Sequence, residues 1–300
     1  MNLETANFLS THGTLRTDAS FKDITTIKIG GKIDYLVSPF DLERLLIILR
    51  YLKEEDIPFK IVGCGSNLVC GDGDYEGCVI RLNKLDDYTI DNNILDVSAG
   101  VRLPSISRVT ASLSKSGLEF ACGIPGSVGG ALYMNAGAYR SSMGNIVEAV
   151  HVLDIASEKD FWLSKDECAY AYRSSIFQKE KDWIVLGAKL NLVDGNREEI
   201  LALNAERLKR RLNTQPLDKP SAGSCFRNPE GDFSWRLIDG AGLRGYQLNG
   251  IKISEKHSNF IINAGNATAT DFIALTELIK LKVKEKYGVD MHREVEIFHC

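Results

Sequence analysis

The seventeen residues from Gly123 to Tyr139 (GIPGSVGGALYMNAGAY) constrain this chain more than any other stretch. Five glycines interleaved with small residues strip away the side chains that would keep a ligand off the peptide groups. The backbone itself becomes the binding surface, and successive N–H groups that open a helix near Ser127 suit a pyrophosphate. A nucleotide cofactor follows from that chemistry. A mobile linker would carry Ser, Pro and charge, whereas this run carries Ile124, Val128, Leu132, Tyr133 and Met134. It is not a Walker loop, because no Gly-Lys-Ser/Thr follows. Nor is it the usual dinucleotide fingerprint, since Leu118 to Cys122 makes a short, mixed approach where a buried strand is required.

Three hundred residues give ample chain for two domains or one large one. With 44% hydrophobic and 25% charged residues, the balance is that of an ordinary globular protein. A net charge of -4 argues against a nucleic-acid binder, and the basic run Arg207 to Arg211 reads as the solvated end of a helix. No apolar run reaches the roughly 20 residues that a membrane span needs, and the first seventeen residues do not form a secretion signal. A cytoplasmic protein with no membrane partner is therefore expected; a monomer is expected too, although the sequence does not show oligomeric state. The seven cysteines (Cys64, Cys70, Cys78, Cys122, Cys168, Cys225 and Cys300) include no Cys-x-x-Cys pair. Neither a disulfide framework nor a metal site is indicated, and His292 with His299 lacks ligand spacing.

After a polar N-terminus the chain reads as a βαβ unit: strand 33–37, a helix over 41–55 capped by Asp41, and strand 59–62. At the carboxyl end of its second strand stands Gly63-Cys64-Gly65-Ser66-Asn67-Leu68, where open α/β sheets bind ligands. A tight structural turn explains those glycines equally well. Further strands are expected at 78–82, 88–90, 94–97, 146–155 and 184–193, with a helix over 104–116 that starts at a proline and stops at Gly117. Composition shifts near 194–196. A charged helix over 197–213 then runs into Pro216 and Pro220, and beyond it come a turn-rich segment at 221–229, a short helix near Trp235, strands at 259–262 and 294–297, and an amphipathic helix over 270–287.

Seven pieces of this chain, in order, resemble the UDP-N-acetylenolpyruvoylglucosamine reductases, flavoenzymes that complete the muramic acid precursor of the bacterial cell wall. They are residues 25–31 (TTIKIGG), 63–68, the glycine run, Tyr172 to Phe177, Ser221 to Pro229, Ser254 to Asn263, and Arg293 to Val295. The resemblance spans nearly the whole chain. It implies an α+β protein in which a two-lobed FAD-binding domain of the vanillyl-alcohol-oxidase (PCMH) type, residues 1–83 and 84–195, precedes a smaller α+β substrate-binding domain, residues 196–300. It also implies NADPH as electron donor and a UDP-sugar as substrate. FAD contacts fall on Gly63, Gly65, Ser66, Asn67 and Leu68 from the first lobe, and on Gly123, Ile124, Pro125, Gly126, Ser127, Gly129, Gly130, Asn135 and Gly137 from the second.

The family's catalytic trio falls on Arg173, Ser224 and Glu294, with Tyr172, Gln215 and Asn228 as substrate contacts. Hydride addition to an enolpyruvyl ether leaves carbanion character that the neighbouring carboxylate shares, and a guanidinium fork facing that carboxylate lowers the barrier. A hydroxyl on a glycine-flanked turn can then donate the proton, and a carboxyl with a raised pKa can hold the aci form. Outside the resemblance, Arg173 reads as a surface ion-pairing residue and Ser224 as a local hydrogen-bonder. Cys225 reads as buried filler. The segment from Phe177 to Val193 is too short for the tyrosine-bearing loop that some family members fold over the substrate. Two rivals stand beside this reading: a flavin oxidase or dehydrogenase of alcohols or acids, and a sensor that binds FAD or a UDP-sugar without turnover.

Overall fold

The computed structural model describes residues 2–298, so His299 and Cys300 lie outside the described residues. The chain divides into two compact units. The first holds residues 2–17, Tyr35–Cys64 and Gly77–Lys209; the second holds Asp18–Asp34, Gly65–Glu76 and residues 210–298.

The first unit is built on two sheets. In one, Gly13–Arg16 runs antiparallel to residues 36–39 of the strand Ile33–Pro39, with Gly13 opposite Pro39, and Phe59–Ile61 runs parallel to residues 78–80 of the strand Tyr75–Ile80. The helix Leu42–Glu54 covers this sheet because Leu45, Ile48, Leu49 and Leu52 recur at helical spacing and all are buried. Asp41 caps it, its carboxylate accepting from the Arg44 N–H at 2.8 Å. The other sheet has five strands, ordered Lys159–Ser164, Val147–Asp154, Trp183–Asn191, Ile94–Ser98 and Tyr88–Asp91, all antiparallel. Val97, Val150, Val152, Ala188 and Leu190 face a core shared with Phe120, Val128 and Leu132, and so fix where the glycine run sits.

The second unit carries a four-stranded antiparallel sheet, ordered Ser221–Ser224, Phe260–Asn263, Ile251–Ile253 and Gln247–Leu248. The helix Ala269–Tyr287 packs Phe272, Leu275, Ile279 and Val283 against it. Thr268 caps its start, and Gly288, at φ 70°, closes its end. A parallel pair, Leu68–Cys70 with Glu296–Phe298, completes the unit.

Several expected elements differ from those observed. The polar N-terminus is a helix, Leu3–His12, whose periodicity is faint because only Thr5 and Leu9 bury fully while Phe8 stacks on Tyr51. The expected βαβ unit has its two strands in one sheet, but Tyr75–Ile80 lies between them. The helix expected to reach Ser116 spans Leu103–Ser112: Ser114 turns to φ 60°, and Lys115–Ser116 instead pairs with Val193–Asp194. The last strand begins at Glu296, which leaves Glu294 on the approach to it.

Candidate active site

In the first unit the glycine run folds back on the Gly63 turn. Ser127 caps the helix Val128–Tyr133 by accepting from the Gly130 N–H, and a Cβ on Gly63 would lie 2.8 Å from the Ser127 Oγ. Any side chain at position 63 would therefore fill the space beside Ser127. Among the described residues, the N–H groups of Gly63, Cys64, Gly123, Gly126 and Ser127 donate to no protein acceptor. Such a set of unspent main-chain donors is what a pyrophosphate requires.

Arg173 also belongs to the first unit. Ala171 and Ser174 exchange two backbone hydrogen bonds, at 3.0 and 3.1 Å, so Tyr172 and Arg173 are the corners of a two-residue turn. Arg173 takes the second corner with φ 53°, where glycine or asparagine is usual. Its Nη2 donates to the Gly137 carbonyl at 2.9 Å, and its guanidinium lies 5.3 Å from the Tyr172 ring centroid. Asn135, 5% exposed, braces the turn: its Nδ2 donates to the Ala171 carbonyl at 2.7 Å while its Oδ1 accepts from the Gly144 N–H at 2.9 Å. The side chain expected to meet the cofactor thus ties the glycine run to the arginine turn. Gln178 supports the same turn through the Arg173 carbonyl. Tyr172 is exposed, and Ile124 packs against the core.

In the second unit Ser224 ends a strand whose register against Phe260–Asn263 slips between Ser221 and Ser224, with Gly223 at φ 79° absorbing the bend. The next residues form a three-part ladder. On one side, the Cys225 N–H donates to the Asn259 carbonyl at 2.8 Å. On the other, the Cys225 carbonyl accepts from the Glu294 N–H at 2.8 Å, and Phe226 pairs with Arg293. Ser224 and Glu294 therefore flank one peptide rung. Among the described residues the Ser224 hydroxyl makes no hydrogen bond. Cys225, by contrast, is fully buried and its thiol is pushed up to about 12 by desolvation, which rules it out as a nucleophile near neutral pH.

The Gly65–Asn67 segment meets this ladder. Asn67 Nδ2 donates to the Glu294 carbonyl at 3.1 Å, and the Asn67 carbonyl accepts from the Glu296 N–H at 3.0 Å. Thr26 joins both parts, its N–H donating to the Gly65 carbonyl and its hydroxyl to the Ser221 carbonyl at 2.6 Å. Gly65 sits at φ 62°, where a Cβ would collide with the Ile24 carbonyl at 2.1 Å, so no other residue fits. Leu68 is buried in its strand. Of the expected substrate contacts, Gln215 keeps a buried Oε1 with no partner among the described residues, and Asn228 is exposed while accepting from the Ser234 N–H. Among the described residues no cluster of His, Cys, Asp or Glu could hold a metal, and no helix is long and apolar enough to cross a membrane.

Residues 33–160 match the FAD-binding domain family, and residues 215–298 match the C-terminal domain of UDP-N-acetylenolpyruvoylglucosamine reductase. A curated reductase of that name from Caldanaerobacter subterraneus subsp. tengcongensis is 45% identical over 285 residues, which cover 95% of this chain and 94% of its own. The chain belongs to the UDP-N-acetylenolpyruvoylglucosamine reductase family. The reductase of Thermotoga maritima is 44% identical over 278 residues, 91% of this chain and 95% of that one. The crystal structure of the Thermus caldophilus reductase superposes with a TM-score of 0.79 at 32% identity, covering 95% of this chain and 99% of that one. The expected fold class, an FAD-binding domain joined to the reductase C-terminal domain with mixed α and β content, is the one found. FAD is the family's cofactor, and the unspent donors at Gly63, Cys64, Gly123, Gly126 and Ser127 fit it.

Proposed function

We propose that this protein reduces the enolpyruvyl group of UDP-N-acetylglucosamine enolpyruvate to give UDP-N-acetylmuramate, a step in peptidoglycan precursor synthesis, acting as a cytoplasmic monomer. The observation that carries this reading is the flanking of one peptide rung by Ser224 and Glu294 inside the matched reductase domain. Bound FAD supplies the hydride, which NADPH provides. Gly63, Cys64, Gly123, Gly126 and Ser127 hold the cofactor's pyrophosphate with main-chain N–H groups. Arg173 binds the substrate carboxylate with its planar fork and stabilises the charge that builds there. The Ser224 Oγ gives its proton to the carbon that becomes carbanionic, and the Glu294 carboxyl hydrogen-bonds the carboxylate in its aci form. Tyr172, Gln215 and Asn228 bind the UDP-sugar, with the buried Gln215 Oε1 available to accept from it.

Anaerobic spectroscopy tests the reading. NADPH should bleach the purified flavoprotein, and the enolpyruvyl sugar nucleotide should restore its colour. The Ser224→Ala variant should be bleached at the normal rate but recover at least ~10²-fold more slowly, the scale expected when a general acid is lost. Recolouring by oxygen as fast as by the substrate would favour a flavin oxidase. Equal slowing of both halves would remove Ser224 from the donor role.

A further inference from the structure

Asn259 carries no expected role, yet its polar side chain is buried beside the Ser224 and Glu294 ladder, at 3% exposed. Its amide is spent on a single residue. Nδ2 donates to the Phe226 carbonyl at 2.8 Å, and Oδ1 accepts from the Phe226 N–H at 3.0 Å. Its own carbonyl accepts from the Cys225 N–H at 2.8 Å. The amide therefore does for Phe226 what a neighbouring strand would do, donating and accepting in the geometry of an antiparallel rung. The opposite edge of the same segment pairs with the 292–294 segment: the Arg227 N–H donates to the His292 carbonyl, and the Glu294 N–H donates to the Cys225 carbonyl. Between Ser224 and Glu294 there is only that one rung, and its other edge rests on Asn259.

We propose that Asn259 is a positioning residue for proton delivery: its side chain, standing in for a missing strand, keeps Ser224 and Glu294 in register with each other. This rests on the function proposed above. A shift of the 225–226 segment by a fraction of an ångström would move both groups relative to the carbon that takes the proton, and misplacement of that order is costly to rate. It would not touch the donor set at Gly63, Cys64, Gly123, Gly126 and Ser127, so reduction by NADPH is spared.

The Asn259→Asp variant separates positioning from general structural damage. An ionised carboxylate accepts from the Phe226 N–H but confronts the Phe226 carbonyl with a second acceptor. A protonated carboxyl restores the original donor and acceptor pair. Burial raises that carboxyl's pKa, and the titratable or charged groups around it include His257 on its own turn, Asp239, Arg211 and Arg244 acting on that turn, Cys225 and Arg227 on the braced segment, and His292, Arg293 and Glu294 beyond. Each half-reaction is followed on the holoenzyme at a series of pH values and divided by the wild-type rate at the same pH. Reoxidation of Asn259→Asp by the enolpyruvyl sugar nucleotide should be at least about tenfold slower near neutral pH, with the deficit shrinking as pH falls, while reduction by NADPH stays normal. Asn259→Ala, which has nothing to titrate, should keep its deficit at every pH. Equal losses in both half-reactions, or an Asn259→Asp deficit that ignores pH, would overturn the assignment. A wild-type flavin that NADPH bleaches but the substrate leaves bleached would overturn the function itself.

Discussion

The two units hold their expected reactive residues by opposite means. In the first, Arg173 itself occupies the left-handed corner of its turn, at φ 53°. In the second, Ser224 lies on ordinary strand backbone, because its neighbour Gly223 takes the φ of 79°. A side chain in the left-handed region costs roughly 1–2 kcal/mol, and a glycine there costs almost nothing. Each unit then adds a buried asparagine whose amide replaces a backbone partner: Asn135 between Ala171 and Gly144, and Asn259 against Phe226. The contrast puts the left-handed backbone on the proposed carboxylate-binding arginine itself in the first unit, and on a glycine next to the proposed proton donor in the second.

The largest effect expected from this contrast is at Arg173. Arg173→Lys should slow reoxidation by the enolpyruvyl sugar nucleotide by about 10²-fold or more, since an ammonium cannot reproduce two parallel donors. Arg173→Gly should lose as much activity and yet change stability by less than about 1 kcal/mol, because relief of the strained corner offsets the lost contacts. Denaturant unfolding of the two variants checks this, and a loss above about 2 kcal/mol for Arg173→Gly would show that the corner is not strained. Gly223→Ala should behave the other way. Its Cβ would meet only the Ser66 carbonyl, at 3.8 Å, so the cost is the left-handed backbone alone, about 1–2 kcal/mol, and it should appear in unfolding and in the Ser224 step together.

The same contrast explains what the sequence discloses. The glycine run, the Asp41-capped helix and the hairpin 88–91/94–98 all carry local signals, and each stands where its residues indicate. The ladder at Ser224 does not, because its three parts come from separate stretches around 225, 259 and 293, and no spacing rule joins them. Resemblance to a family could place Ser224 and Glu294 on its roster, but the brace at Asn259 is a side chain imitating a strand. A polar residue at the head of the apolar run Phe260-Ile261-Ile262 was the one hint. The helix Leu3–His12 was equally hard to see, since its partner Tyr51 lies on another helix and only Thr5 and Leu9 of its own residues are buried.

The smallest expected effect concerns buried thiols, and it too compares the units. Burial pushes Cys78 up to about 12 and Cys168 to about 11 in the first unit, and Cys225 to about 12 in the second. In the unfolded chain these thiols ionise near their ordinary value of 9.0. A raised folded-state pKa means that the neutral thiol is preferred in the native protein, so the stability it contributes is complete below pH 9. That stability declines as pH rises toward the folded values, because the unfolded state releases its protons first. At pH 9.5 the expected loss is below about 1 kcal/mol per thiol. Replacing Cys225 by Ala should flatten the second unit's share of the alkaline fall in Tm between pH 8.5 and 10.5, and replacing Cys78 by Ala should flatten the first unit's share by a similar amount. If Cys225→Ala leaves the slope unchanged while Cys78→Ala abolishes it, the thiol beside Ser224 is reached by solvent before the chain unfolds, and the rung between Ser224 and Glu294 opens in the native state.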